Sequence, residues 1–325
     1  MPSIGSLYIP KYSNHQFVSN IDEADVIIFG YAVKQNYNFK KHNIGNKPIV
    51  VIDYNELGPF TLNDNFIGFN THSWFKQFEG WNNLNYWLQD IQSNIKIYFK
   101  REFEKGSYHP PIPTYPIEYM SFNERFWNQN TQSFEEFNKR IFKLALIFSL
   151  SHTSRPLLFA KLVEKLYCCN MCFDERILEY NEYYDSSFNN NEGILLLYKP
   201  CFFRLHHNKM MDLYQKSKIS ISLHGAGKKC NRETEVSFES VPAIQETNQY
   251  YTYPWIDGKN CIILPNQKND PFRLDLEDAI NKMLSYLQQP EELYQIYLNS
   301  QKNSLNYRID NYLTRHIIPK LENII

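Results

Sequence analysis

Short apolar runs, each about one strand long and each followed by helix-like sequence, constrain this chain more than any other feature. In the first half, ADVIIFG (Ala24–Gly30), PIVVID (Pro48–Asp53) and IKIYF (Ile95–Phe99) are almost continuously apolar. A strand exposed on one face alternates in polarity, whereas a strand covered on both faces does not. YPIEY (Tyr115–Tyr119) reads as a short fourth strand. The second half repeats the habit with FKLALIFS (Phe142–Ser149), GILLLY (Gly193–Tyr198), ISISL (Ile219–Leu223) and two shorter runs at 241–244 and 261–264. Helical patterns separate them at 154–167, 208–216 and 232–240, the first with Pro156 in its opening turn, where a missing N–H costs nothing. Strands of this kind between helices predict parallel sheets with helices on their faces, an α/β fold.

The chain has 325 residues, too many for one ordinary core and suited to two. We expect an amino-terminal domain over 1–138, a second α/β domain over 139–290 and a helical tail over 291–325 that packs back across the junction. Four prolines between His109 and Pro116 force an extended segment. Trp74–Ile91, rich in Trp and Leu at partly helical spacing, reads as core-packing helix. Asp275 is placed to cap a helix over 276–288, and Pro290 ends it.

Composition excludes several classes. With 34 basic and 35 acidic residues and no basic tract, nothing suggests a nucleic-acid groove, so no nucleic-acid partner is expected. The amino terminus lacks a signal-peptide pattern and no apolar stretch is long enough to span a bilayer. Cys169 and Cys172 form a lone CxxC without a second ligand pair, so the six cysteines read as buried free thiols. The expected compartment is reducing cytoplasm, with a peripheral place at a membrane left open. The abundance of Tyr, Phe and Asn follows from a codon bias and is assigned no function.

The segment from Lys218 to Leu264 carries the chemistry. A buried strand runs into His224-Gly225-Ala226-Gly227, small residues that let a ligand approach the backbone and leave N–H groups for an anion. The next helix begins near Arg232, turning its partially positive end toward the same place. Lys228, Lys229 and Arg232 add formal charge, and a guanidinium suits bidentate phosphate contact. Glu235, one turn on, is placed to accept hydrogen bonds from ribose hydroxyls.

Glu235 to Pro242, with Arg232 ahead and Val241-Pro242 and Asn260 behind, resembles the donor-binding motif of GT-B glycosyltransferases, and within them the exostosin-like type. Ser240 stands where relatives often have Gly, and Ala243 where many have Val. The likeness is strong over 218–264, looser over about 95–165 and weak elsewhere. It implies two Rossmann-like domains facing across a cleft, and transfer of a sugar from a UDP- or GDP-linked donor to a glycan acceptor hydroxyl. It assigns the ribose to Glu235 and the donor diphosphate to Arg232 and to Arg155, which starts a helix at the carboxyl edge of the second sheet. Gly225, Ala226, Gly227, Lys228 and Asn260 join the donor site. His152 is either a turn residue or a sugar contact.

On the acceptor side, Asp53 ends one strand and Lys100, Arg101 and Glu102 end another. An inverting transfer needs a group to take the acceptor proton, and Glu102 and then Asp53 are the carboxylates available. For Glu102 an ion pair with Lys100 or Arg101 is an equal alternative. Asp275-Leu276-Glu277 is the nearest approach to a DxD metal motif, but Asp275 reads as a cap. Neither a metal nor a cofactor is expected. A carbohydrate-binding or assembly protein without catalysis is the main rival. An NAD(P)-dependent oxidoreductase is weaker, since no GxGxxG follows either first strand.

Overall fold

The computed structural model describes residues 11–16, 18, 20–31, 44–53, 92–103, 105, 112–121, 124–127, 131–149, 155, 157–158, 161–162, 194–199, 207–224, 229 and 231–324. The chain forms two compact units, one of residues 1–118, 248–252 and 309–325, the other of 119–247 and 253–308. The division at 118/119 precedes the expected 138. The segment that follows belongs with the second core, where Phe126 stacks on Phe238 with ring centroids 3.7 Å apart. The expected tail is not one body either: 291–308 belongs to the second unit and 309–325 to the first.

The first unit holds a parallel four-stranded sheet in the order β1 (Ile27–Tyr31), β2 (Ile49–Asp53), β3 (Ile95–Lys100), β4 (Thr114–Pro116). All five residues of β2 are buried, the pattern its unbroken apolar run demands. Ile27, Phe29, Ile49, Val51, Ile95 and Tyr98 pack in one cluster. The expected fourth strand comes earlier and shorter than 115–119, and just past its end the Ile117 N–H still donates to the Lys100 carbonyl at 3.0 Å. Ahead of β1, Lys47 closes the turn at Ile21–Glu23: its Nζ donates to the carbonyls of Ile21, Asp22 and Ala24 at 3.1, 2.6 and 2.8 Å.

Residues 309–325 complete this unit as a helix at Ile309–Tyr312, a π turn at Leu313–Ile317 and a helix at Ile318–Glu322. They are held by a buried polar knot. The Glu118 carboxylate accepts from the Thr252 N–H and hydroxyl, each at 2.8 Å, and from the Tyr312 hydroxyl. His316 Nε2 lies 2.9 Å from the Pro116 carbonyl oxygen, so that nitrogen carries the proton and Nδ1 accepts from Lys320 Nζ at 3.0 Å. A buried carboxylate with three donors is satisfied, which turns a costly group into a specific tie.

The second unit is a parallel five-stranded sheet in the order β6 (Ile194–Lys199), β5 (Phe142–Ser149), β7 (Ser217–Ser222), β8 (Val241–Gln245), β9 (Ile262–Leu264). Helices α1 (Phe134–Asn138), α2 (His207–Gln215), α3 (Asn231–Glu239), α4 (Leu276–Leu287) and α5 (Pro290–Ser304) accompany it. A hairpin of β10 (Asn266–Gln267) and β11 (Asp270–Leu274) precedes α4; the polar NQKND sequence gave no sign of it. Asp275 caps α4, accepting from the Asp278 N–H at 3.2 Å. Pro290 starts α5 instead of merely ending α4, the first-turn position proline favours. Ser133 and Glu136 form a capping box on α1, and the two Ser133 hydrogen bonds hold the Glu136 carboxyl below its ordinary pKa.

Just before β5, Arg140 is buried between the rings of Phe137 and Tyr297, 4.6 Å from each centroid. Its Nη1 donates to Ser217 O at 2.6 Å and its Nε to Gln132 Oε1 at 2.9 Å. Burial pulls its pKa down to about 10, with Tyr297 and Glu239 opposing, so it stays charged at neutral pH.

Among the described residues, no helix is long and apolar enough to cross a membrane. Cys261 is a buried free thiol whose pKa is pushed up by desolvation and then by Asp257; a thiol so held is a poor nucleophile. Trp74–Ile91, Cys169 and Cys172 lie outside the described residues.

Candidate functional site

In the second sheet β5 leads to β6 on one side, while β7, β8 and β9 follow on the other. The strand order reverses between β5 and β7. Open parallel sheets bind ligands in the crevice outside the carboxyl ends of the strands at such a point. Arg155 sits there. It is helical, follows β5 and is only 2% exposed. Its Nη2 donates to the His224 carbonyl at 3.0 Å and the Leu223 carbonyl at 3.3 Å, both just beyond the carboxyl end of β7. These two bonds anchor the guanidinium to the backbone where it leaves β7.

The carboxyl ends of β7 and β8 are tied together. The His224 N–H donates to Gln245 Oε1 at 3.2 Å, and Gln245 Nε2 passes the chain on to Asn266 Oδ1 at 2.9 Å. His224 and Gln245 are both buried. The site edge is therefore rigid where the backbone leaves β7.

Helix α3 then carries Arg232 and Glu235, both half-buried. His207, the first residue of α2, places Nε2 3.1 Å from Glu235 Oε1. Sequence reasoning did not single out His207; it lies 28 positions upstream, and only the packing of α2 against α3 brings the two together. Lys229 is buried near the start of α3. His152, Gly225, Ala226, Gly227 and Lys228 lie outside the described residues.

Asn260 has a different setting. Its Oδ1 accepts from the Ile256 N–H at 2.7 Å and its Nδ2 donates to Pro254 O at 3.1 Å. Both ends of the amide serve its own turn.

In the first unit the structure brings Asp53, Tyr98 and Lys100 together at the carboxyl end of the sheet. Asp53 and Lys100 are cross-strand partners, and Tyr98, two residues before Lys100, shares its face. Lys100 Nζ and Tyr98 Oη both donate to Asp53 Oδ2, at 2.8 and 2.7 Å. Asp53 and Lys100 are fully buried. Glu102 pairs with Arg101 at 3.3 Å, and both are nearly buried. Of the two carboxylates weighed as proton acceptors, Asp53 thus accepts from Tyr98 and Lys100 of β3, and Glu102 lies against Arg101. Among the described residues no group of three or more His, Cys, Asp or Glu is placed to hold a metal ion.

No protein-family model matches the chain, and no curated protein does. Solved structures do. An alpha-glucosyltransferase in complex with UDP-glucose and DNA containing an abasic site superposes with a TM-score of 0.52 at 10% identity, covering 94% of this chain and 81% of that one. An alpha-glucosyltransferase with UDP and a 13-mer DNA containing an HMU base gives 0.48 at 11%, over 94% and 81%. MurG of Acinetobacter baumannii gives 0.38 at 11%, over 78% and 62%. None of the three is described as exostosin-like. At such low identity the first likeness speaks to the fold: an α/β chain of parallel sheets and helices, structurally similar to GT-B glycosyltransferases and consistent with two Rossmann-like domains.

Proposed function

We propose that this chain is a metal-independent glycosyltransferase that takes its sugar from a UDP- or GDP-linked donor. The observation that carries the reading is Arg155, anchored at the strand-order reversal of the second sheet, with the Arg232–Glu235 helix packed against β7. A departing nucleoside diphosphate gains negative charge as the glycosidic bond breaks. Fixed guanidinium groups, with their low reorganisation cost, stabilise that charge. Glu235 accepts hydrogen bonds from the ribose hydroxyls, and His207, 3.1 Å away, orients its carboxylate.

On this reading Arg155, Arg232 and the Gly225–Lys228 loop bind the donor, Lys100 and Arg101 belong to the acceptor side, and Glu102 is the carboxylate left to act as base. The exostosin-like type remains part of the proposal through the Glu235–Pro242 motif. The acceptor is a hydroxyl compound. Because the first structural neighbour is in complex with DNA, charge balance gives no ground for leaving nucleic acid out, and that expectation is withdrawn.

Two results test the reading. Glu235→Ala is expected to keep the fold and lose about 1.5–3 kcal/mol of UDP or GDP affinity, roughly 10- to 150-fold, by titration calorimetry. Unchanged affinity in the folded variant removes Glu235 from the site. Nucleotide release from a panel of nucleotide-sugars, with glycan and DNA acceptors, is expected to survive EDTA. Abolition by EDTA with recovery on added manganese refutes the metal-free mechanism. Stabilisation by free glycans or by NAD(P), with no response to any nucleotide-sugar, favours a carbohydrate-binding protein or an oxidoreductase instead.

A further inference from the structure

A pocket of about 210 Å³ opens in the second unit, lined by Phe126, Trp127, Gln301, Lys302, Leu305 and Arg308 among others. It lies at the other edge of the sheet from Arg155. Phe126 and Leu305 pack with Phe142, the first residue of β5, and with Phe238 near the carboxyl end of α3. In a parallel α/β unit that end of the helix returns the chain to the amino ends of the strands.

The lining makes three separate demands on an occupant. Trp127 is exposed, with the Arg308 guanidinium 4.4 Å above its ring, so one aromatic face is backed by a cation and the ring is stiffened for stacking. Lys302 is exposed beside it and the described lining residues include no carboxylate, so the local field favours an anion. Gln301 is 4% exposed, and its Nε2 donates to Phe238 O at 3.1 Å and Tyr297 Oη at 2.7 Å. Those two bonds fix the amide orientation and leave Oε1 as an acceptor with no partner among the described residues. An unpaired buried acceptor is costly, and a hydroxyl or N–H donor satisfies it.

We propose that this pocket is a binding subsite for an acidic sugar: a ring apolar on one face, hydroxylated at its rim and carrying one carboxylate or phosphate. The size is selective, because pockets for larger ligands run roughly 300–1,000 Å³, so a single ring fits. A nucleic acid strand needs a track of cations along its backbone, whereas the described lining offers two. The choice of a sugar over other small anions rests on the glycosyltransferase reading; the site itself does not.

The test is calorimetric and fluorescence titration of the full chain with glucuronic acid and glucose 6-phosphate. Glucose serves as the neutral control and a 13-mer oligothymidylate as the nucleic-acid control. Saturable binding of both acids is expected, with glucose at least about fivefold weaker. Lys302→Gln and Trp127→Ala are each expected to weaken the acids by about tenfold. Trp127→Phe retains most of the binding, which separates stacking from folding. UDP affinity is expected to be unchanged in Lys302→Gln, and it reports the donor site independently: loss of UDP binding in the wild type refutes the donor reading and not this subsite. Absence of saturable acid-sugar binding, binding that survives both substitutions, or oligothymidylate binding that outcompetes the sugars and needs Lys302, overturns the proposal.

Discussion

Removing residues 291–325 is expected to abolish the cooperative unfolding transition of this protein, not to trim an appendage. Leu293, Ile296 and Tyr297 are each 1% exposed and belong to the main cluster of the second unit, with Leu144, Leu146, Ile219 and Val241. Ile309, Tyr312, Leu313, Ile317, Ile318 and Leu321 are buried in the first unit. Burying one large apolar side chain contributes about 1.5–3 kcal/mol, and whole domains are stable by only about 5–15 kcal/mol. Together, nine such side chains are comparable to that margin after allowance for a compact unfolded state. Thermal melts followed by circular dichroism check this. A shorter deletion of 309–325 separates the two units: it takes Tyr312 from Glu118 and His316 from Pro116, so the first unit loses its transition while the second keeps its own. A truncated chain melting within a few degrees of the full one refutes the assignment of this segment to both cores.

Lys100→Met is expected to cost about 3–5 kcal/mol in urea unfolding, the range for leaving one member of a buried ion pair uncompensated. Asp53 and Lys100 are both fully buried, so water cannot take the place of the ammonium, and the Tyr98 hydroxyl is a neutral donor, not a counter-charge. Asp53→Asn combined with Lys100→Met removes both charges and is expected to recover most of the loss, since a neutral replacement for a buried pair is often tolerated. If the single substitution costs under about 1 kcal/mol, the pair is hydrated in solution and Asp53 becomes available as a proton acceptor again. The same double-mutant cycle therefore decides between the structural and the catalytic reading of Asp53.

What was legible in the sequence was whatever depends on near neighbours along the chain. Continuous apolar runs such as PIVVID announce strands buried on both faces, and β2 is buried throughout. Asp275 ahead of an amphipathic run announces a cap, because capping is decided within four residues. Arg155 could be placed at a carboxyl strand edge because a strand followed by a helix start leaves little choice in a parallel unit.

The tertiary structure alone decided what depends on residues far apart. The strand order that reverses between β5 and β7 is not written in any run of residues, yet it puts Arg155 at the kind of point where open parallel sheets bind ligands. Asp53 read as a strand-end carboxylate, and only the fold brings Tyr98 and Lys100, more than forty positions on, to donate to one of its oxygens. His207 and Glu235 meet only through the packing of two helices. Apolar periodicity in 291–325 showed a face to bury, but not that its two halves serve different cores. Periodicity reports that a side chain leaves water; which surface receives it is settled by three-dimensional complementarity, and that is where charge pairs, buried carboxylates and ligand pockets are made.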